Sequence, residues 1–425
     1  MAYFNAPIGG LFWAPPDSKA ELHIVLPFAK QDFYDTSVDY GLKAMAEFRV
    51  RFDEVLQQSD LHYATTEKYL GDDALFEFNA AFAQGLALIR ADQLGVEPIA
   101  LTTVNRSAPA VFPDFLRCWK ERSFGSVHFI DLEEIRTRIL PKNPAWFAKD
   151  KSSATFASEP RPNRKVRAML FADVKGVSEV TEQQLPRFIL HWMNILDREI
   201  AASTHQPLHC NTWGDGVFLV FESVTTCADF ATRIVTAFEK MDWTTIGAPA
   251  DTNVRIGVHN GPVYEQLNPL LHRSEFHGSH VNRAARIEPL TTPGTVFASE
   301  QFAAFLTLES QQEFAIQYEG AMRLAKSEEP VRLYRVASAN DWVRMLPTSL
   351  PGPLSTHAKR DDLMKGDRFS APGPPGSDVP DPDRRGRRNL VFISYSHHDK
   401  RWLVVFRLKW HTGEVRLAVS REMSP

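Results

Sequence analysis

Residues 166–174, VRAMLFADV, form an almost unbroken apolar run that stops at an aspartate and runs into Lys175–Gly176. So short and apolar a run fits a strand covered on both faces, closed by a turn. It also restarts the pattern of strands and helices after SSATFASEPRPNRK, a polar stretch with two prolines. A chain of 425 residues exceeds one ordinary core, and roughly 150 residues per domain gives two or three units. Apolar residues at 44% and charged residues at 24% are a soluble globular mixture. No apolar run approaches the roughly 20 residues needed to span a bilayer. The N-terminal MAYFNAPIGG has no basic segment ahead of an apolar core, so it is not a secretory signal. A cytoplasmic protein without a membrane segment is expected. The net charge of -4 gives no argument for nucleic acid as a partner. Cys118, Cys210 and Cys227 have no CxxC spacing, which excludes a cysteine zinc cluster.

Residues 1–150 form the first expected unit. ELHIVLPF, VEPIALTTV and SVHFIDL read as strands, and FNAAFAQGLALIRADQLG as a helix ending at Gly95. Strands alternating with helices imply a parallel, Rossmann-like α/β layer. It contains neither GxGxxG nor a P-loop. The unit resembles the Rossmann-like sensor domains that accompany bacterial signalling enzymes, and a purely structural or dimerising role is equally open.

Residues 151–165 are expected to be linker, and the second unit spans 166–337. A helix from about Gln183 to Ala201 aligns Phe188, Ile189, Trp192, Ile195 and Leu196, and one from Val224 to Met241 aligns Cys227, Phe230, Ala231, Ile234, Val235 and Phe238. PLHCNTW and GVFLVF are strands joined by a tight hairpin at Gly214–Asp215–Gly216. VRIGVHNGPVY, the helical SHVNRAARIEPL, the strand GTVFAS and the hairpin FAIQYEGAMRLAKSEEPVRLYRV follow. The order predicts an α+β, ferredoxin-like sheet with helices on one face. Residues 338–388, rich in Pro, Gly, Ser and Asp and ending in RRGRR, are expected to be disordered linker.

The chemistry is concentrated in two carboxylates. Asp173 ends a strand too apolar to want one, and Asp215 sits on a glycine-flanked hairpin that this topology sets beside it. Such a pair suits hard divalent cations, which prefer oxygen ligands and keep positions for phosphate oxygens. Either residue alone also suits a turn.

LFADVKGVS, NTWGDGVFLVF, VRIGVHNGPV and FHGSHVNRAARIE stand in the order and spacing of the catalytic domain of class III adenylate and guanylate cyclases. The resemblance covers residues 166–337 and implies two Mg²⁺ or Mn²⁺ ions per active site. Asp173 and Asp215 would bind both ions with the backbone carbonyl of Val174, while Lys175, Gly176, Val177 and Ser178 enclose a triphosphate and Lys326 contacts phosphate. It implies Asn282 and Arg286, four apart on one helical face, as donors to the α-phosphate, contributed by the other subunit of a homodimer with composite sites. Arg283 falls on another face. Adenylate cyclases place Lys and Asp, and guanylate cyclases Glu and Cys, where this chain has Asn211 and Glu275. Asn211 suits the amide edge of uracil or guanine, whereas Glu275, an acceptor only, favours an exocyclic amino group. Val177 also replaces the usual Phe. The chain therefore resembles pyrimidine cyclases of bacterial antiphage signalling (Pycsar type), with UTP the preferred substrate, cyclic UMP the product and a separate cyclic-nucleotide-responsive effector. An adenylate cyclase and a catalytically silent nucleotide-binding sensor are the alternatives. Residues 389–425, opening with RNLVFISYSHHDKRWL, resemble the first strand and loop of a TIR domain, truncated before its later helices and catalytic glutamate; no TIR activity is expected.

Overall fold

The computed structural model describes residues 2–5, 22–38, 45–71, 74–104, 119, 121–131, 164–310, 312–325, 330–341, 390–394, 406–411 and 414–419. The N-terminal part contains β1 (Ala2–Asn5), β2 (Leu22–Leu26), α1 (Lys30–Phe33), α2 (Met45–Gln57), β3 (Asp60–Tyr63), α3 (Ala74–Leu94), β4 (Pro98–Val104) and β5 (Ser126–Asp131). β1, β2 and β3 pair in parallel, as do β4 and β5. α3 stops where expected, at Gly95, whose φ of 62° is the left-handed conformation that ends helices.

Residues 164–341 form the second unit. β6 (Arg164–Lys175) begins two residues inside the expected linker and leads to α4 (Leu185–Ala201), β7 (His209–Trp213), β8 (Gly216–Phe221), α5 (Val224–Glu239) and β9 (Asn253–Asn268). Then come β10 (Arg273–His277), α6 (Ser279–Ile287), β11 (Thr295–Ser299), α7 (Glu300–Ser310), β12 (Phe314–Arg323) and β13 (Pro330–Ser338). The sheet order is β12–β13–β11–β9–β6–β8–β7, with β10 paired to β9. The long central strand β6 runs antiparallel to both β8 and β9.

Side-chain alternation along β6 builds two cores. Leu170, Ala172 and Val174 face α4 and α5, meeting Phe188, Trp192, Ile195, Leu196, Phe230, Ile234 and Phe238. Met169 and Phe171 face the other way, into a second cluster with Phe218, Val220, Val263, Phe276 and Ala284. Ala284 belongs to α6, so the helices do not all lie on one face. α6 covers the opposite side because its Val281 and Ala284 fill the space above Met169 and Phe218.

α7 was not foreseen in the sequence. It is buried nearly all round, so it lacks the one-sided apolar stripe by which helices are read. Phe302 and Leu306 join the core of the second unit, while Ala304 and Leu308 join the cluster around Phe78, Phe82 and Leu86 of α3. At this crossing a Cβ on Gly85 would come within 2.0 Å of the Ala304 carbonyl oxygen. The two units thus share a continuous apolar contact.

The C-terminal segment contributes β14 (Leu390–Ser394), which lies between β1 and β4 and pairs in parallel with both. β15 (Phe406–His411) and β16 (Glu414–Val419) form a hairpin. Most of the expected linker at 338–388 lies outside the described residues, as do His397 and His398.

Candidate active site

The register of β6 against β9 sets Asp173 opposite Arg255. Arg255 Nη2 donates to Asp173 Oδ2, and its Nε forms an ion pair of 3.0 Å with Glu288 Oε1. Asp215 occupies the two-residue turn between β7 and β8, where Gly214 takes φ 65°. The Trp192 indole N–H of α4 donates to the Asp215 carbonyl at 2.9 Å, fixing the turn to the helix layer. Because β8 is the neighbour of β6, the turn brings Asp215 to Asp173.

Burial and then the Asp173 charge raise the Asp215 carboxyl above its usual range, with Arg255 opposing. Burial also pushes Glu288 up to about 7; the Arg255 ion pair works against this, and Asp173 and Asp215 add to it. Three carboxylates around one guanidinium are short of positive charge. Divalent cations at Asp173 and Asp215 would reverse that imbalance, so the residues present fit a site for hard metal ions.

The other expected residues fall into three groups. Lys175 is exposed at the end of β6 and ion-paired with Asp251 at 2.7 Å, an exchangeable surface pair. Val174 is 3% exposed and belongs to the core, so only its backbone can serve the site. Gly176 has φ 100° and opens a 3-10 turn over Val177–Glu179. That turn is closed by the N–H groups of Glu179 and Val180, which leaves Val177 and Ser178 at its open start.

Asn211 and Glu275 lie on β7 and β10. Arg273 bridges these strands, donating to the Cys210 carbonyl at 3.2 Å and to Asn211 Oδ1 at 3.3 Å. A guanidinium has no acceptor, so the Asn211 amide turns its oxygen to Arg273 and presents its NH₂ end. Glu275 Oε2 accepts from Asn268 Nδ2 at 2.8 Å.

Asn282 and Arg286 sit on α6, Asn282 exposed and Arg286 half-buried. Among the described residues, no hydrogen bond or ion pair joins either to Asp173 or Asp215. Arg283 is half-buried near His280, not on the open surface. Lys326 lies outside the described residues. Arg255, Glu288 and Arg273 were not singled out in the sequence. Arg255 stands inside the VRIGVHNGPV motif, yet a charged residue on every second position of a strand is ordinary, and only the register reveals its partner.

Residues 160–338 match the family model described as adenylate and guanylate cyclase catalytic domain. Among solved structures, the chain is similar to the adenylyl cyclase CyaB from P. aeruginosa, with 17% identity over 41% of this chain and 95% of that one, at a TM-score of 0.36. It is similar to the guanylate cyclase domain of RhGC from Catenaria anguillulae in complex with GTP, at 19% identity, 41% and 97% coverage and a TM-score of 0.36. An adenylate cyclase from Trypanosoma brucei in its monomeric state gives 16% identity, 40% and 87% coverage and a TM-score of 0.36. No curated protein sequence matches the chain. Residues 160–338, less than half of the chain, are thus similar to the adenylate and guanylate cyclase catalytic domain.

Proposed function

We propose that this domain converts a nucleoside triphosphate into its 3′,5′-cyclic monophosphate and pyrophosphate. The reading rests above all on the meeting of Asp173 and Asp215 at adjoining strand ends inside the matched segment. These carboxylates and the Val174 carbonyl would hold two Mg²⁺ or Mn²⁺ ions. When bound, the ions neutralise phosphate charge and favour the ribose 3′-alkoxide. The 3′-oxygen forms a bond to the α-phosphorus, the bond to the bridging oxygen of the β-phosphate breaks, and the hydroxyl proton leaves to solvent. Lys175 and the turn at Gly176–Ser178, with Lys326, enclose the triphosphate, and Arg255 keeps a positive charge behind Asp173. Asn282 and Arg286 donate to the α-phosphate, where charge grows in the transition state.

Asn282 and Arg286 make no described contact with the carboxylates of their own chain, which favours a homodimer in which each site borrows them from the partner. The NH₂ end of Asn211 directed away from Arg273 favours a base with a carbonyl at that edge, and UTP is the proposed substrate. Residues 1–150 are proposed as the regulatory unit, and antiphage signalling through a cyclic-nucleotide-responsive effector as the setting. Incubation with each ribonucleoside triphosphate and Mn²⁺, with products identified by mass, tests this. Cyclic UMP is expected; cyclic AMP as the dominant product would replace the base assignment, and no cyclic product with any nucleotide would overturn the activity.

A further inference from the structure

A second cluster of ligating side chains lies far along the chain from the cyclase carboxylates, where the N-terminal sheet meets the second unit. In the parallel pair β2–β3, His23 is the register partner of Asp60. His62 follows Asp60 by two residues and so returns to the same face of the sheet. Three donor atoms converge there. His23 Nδ1 is 3.1 Å from His62 Nε2 and 3.4 Å from Asp60 Oδ2, and His62 Nε2 is 3.6 Å from Asp60 Oδ2.

These separations have a specific meaning. Zinc bonds to imidazole nitrogen and carboxylate oxygen are about 2.0–2.2 Å long, so the edges of a tetrahedron around the ion measure roughly 3.3–3.6 Å. The three observed distances lie close to that range. The cluster also has the outer support found around metal-ligating histidines, whose remaining ring nitrogen commonly faces a carboxylate. His62 Nδ1 is 3.1 Å from Glu300 Oε1 of α7, at side-chain exposures of 4% and 9%. Arg332 of β13 donates from Nη2 to both Asp60 oxygens, at 2.7 and 3.0 Å, and neutralises part of their charge.

Arg332 Nη1 also stands 3.1 Å from His62 Nδ1. A guanidinium only donates and a carboxylate only accepts, so Nδ1 serves one of the two at a time. When Nδ1–H donates to Glu300, Nε2 keeps its lone pair and faces Nδ1 of His23. Two imidazole lone pairs at that distance repel unless a proton or a cation lies between them.

We propose that His23, Asp60 and His62 form a binding site for a divalent transition metal of the zinc class, with Glu300 orienting His62 from the second unit. Two nitrogens and one oxygen favour such an ion over Mg²⁺ or Ca²⁺, which take oxygen ligands. The site is thereby distinct in chemistry from the one at Asp173 and Asp215. Its ligands come from the N-terminal sheet and its supports from α7 and β13, so an ion there ties the two units together.

The test is titration of the full, chelator-stripped chain with Co²⁺ in excess Mg²⁺, reading visible ligand-field absorption. One Co²⁺ per chain with the intense bands of low coordination, displaced by Zn²⁺ and retained in Asp173→Asn, is expected. His23→Ala and His62→Ala should abolish the bands, and Glu300→Gln should weaken binding about 10–100-fold. Zinc should also raise the melting temperature of the wild type and not of His62→Ala. Absence of such bands in the wild type overturns the proposal without recourse to any variant, and so does undiminished binding by a folded His23→Ala/His62→Ala double variant.

Discussion

Asp173 owes its visibility in the sequence to contrast: a carboxylate at the end of an apolar strand has no packing reason to be there, and Asp215 stands out between two glycines for the same reason. Asp173→Asn or Asp215→Asn should abolish cyclisation while leaving the melting temperature nearly unchanged, since each removes charge and little volume. Product formation and calorimetry on the same sample check this. Arg255, Glu288 and Arg273 were not legible because their meaning comes from partners many residues away; His62 was not because the four-residue β3 carries too short a pattern to be read, and without β3 nothing marks its neighbour His23 on β2. His280 gives a pH prediction. Its burial, with Arg283 and Arg164 nearby, lowers it to about 3 from the ordinary 6.5. The unfolded chain therefore takes up a proton that the folded one refuses, and stability falls as pH drops from about 6.5 towards 3, by about 1.4 kcal/mol per pH unit for one such group. Buried His259, also held low and 2.8 Å from His280, adds to the same trend. Urea unfolding of His280→Asn between pH 7 and 5 should show a flatter pH dependence than the wild type.

Among the elements, α4 and α5 were readable because one face of each is apolar, and the structure buries those faces: Phe188, Trp192, Ile195 and Leu196 on α4, Cys227 to Phe238 on α5. The Ser223 hydroxyl that accepts from the Thr226 N–H at 3.2 Å marks the start of α5 as an N-cap should. α7 escaped because it is covered from both sides, and α6 was assigned to the wrong face because a helix pattern tells which residues are buried, not against which side of the sheet. The α3–α7 crossing makes a further prediction at this scale. Gly85→Ala should destabilise the protein by at least about 1–3 kcal/mol, the usual cost of forcing atoms into a packed interior, because the added carbon meets backbone at Ala304 that cannot rotate aside. Gly71→Ala and Gly214→Ala, with nothing within 4 Å of the added carbon, isolate backbone strain alone.

For the whole molecule, the homodimer proposal predicts complementation. Arg286→Ala should lose roughly 10²–10³ in rate, as removal of one donor to a developing oxyanion does, and Asp173→Ala should be inactive. Mixing the two after demonstrated subunit exchange should restore roughly a quarter of wild-type activity, because half the dimers are mixed and one of their two sites is intact. No recovery would mean that each site is built from one chain. The C-terminal segment calls for a different expectation from that of a detached remnant. Ending the chain at Ser338 should leave turnover within about twofold, since all the proposed site residues precede it, but it deletes β14 from between β1 and β4. A lower melting temperature with normal turnover is the expected result, and an unaltered melting curve would show that β14 adds nothing to the sheet.

The position of β14 also sets a timetable for synthesis. The N-terminal strands emerge from the ribosome first, yet β1 and β4 gain their shared neighbour only when residue 390 arrives, almost three hundred residues after β4 is complete. At about 5–20 residues per second this is a wait of roughly 15–60 s, during which two strand edges stand open to other nascent chains. The second unit, whose strands all fall between residues 164 and 338, can close its sheet meanwhile. For this protein the domain made first is the one finished last, and the interval before completion is when it most needs a chaperone.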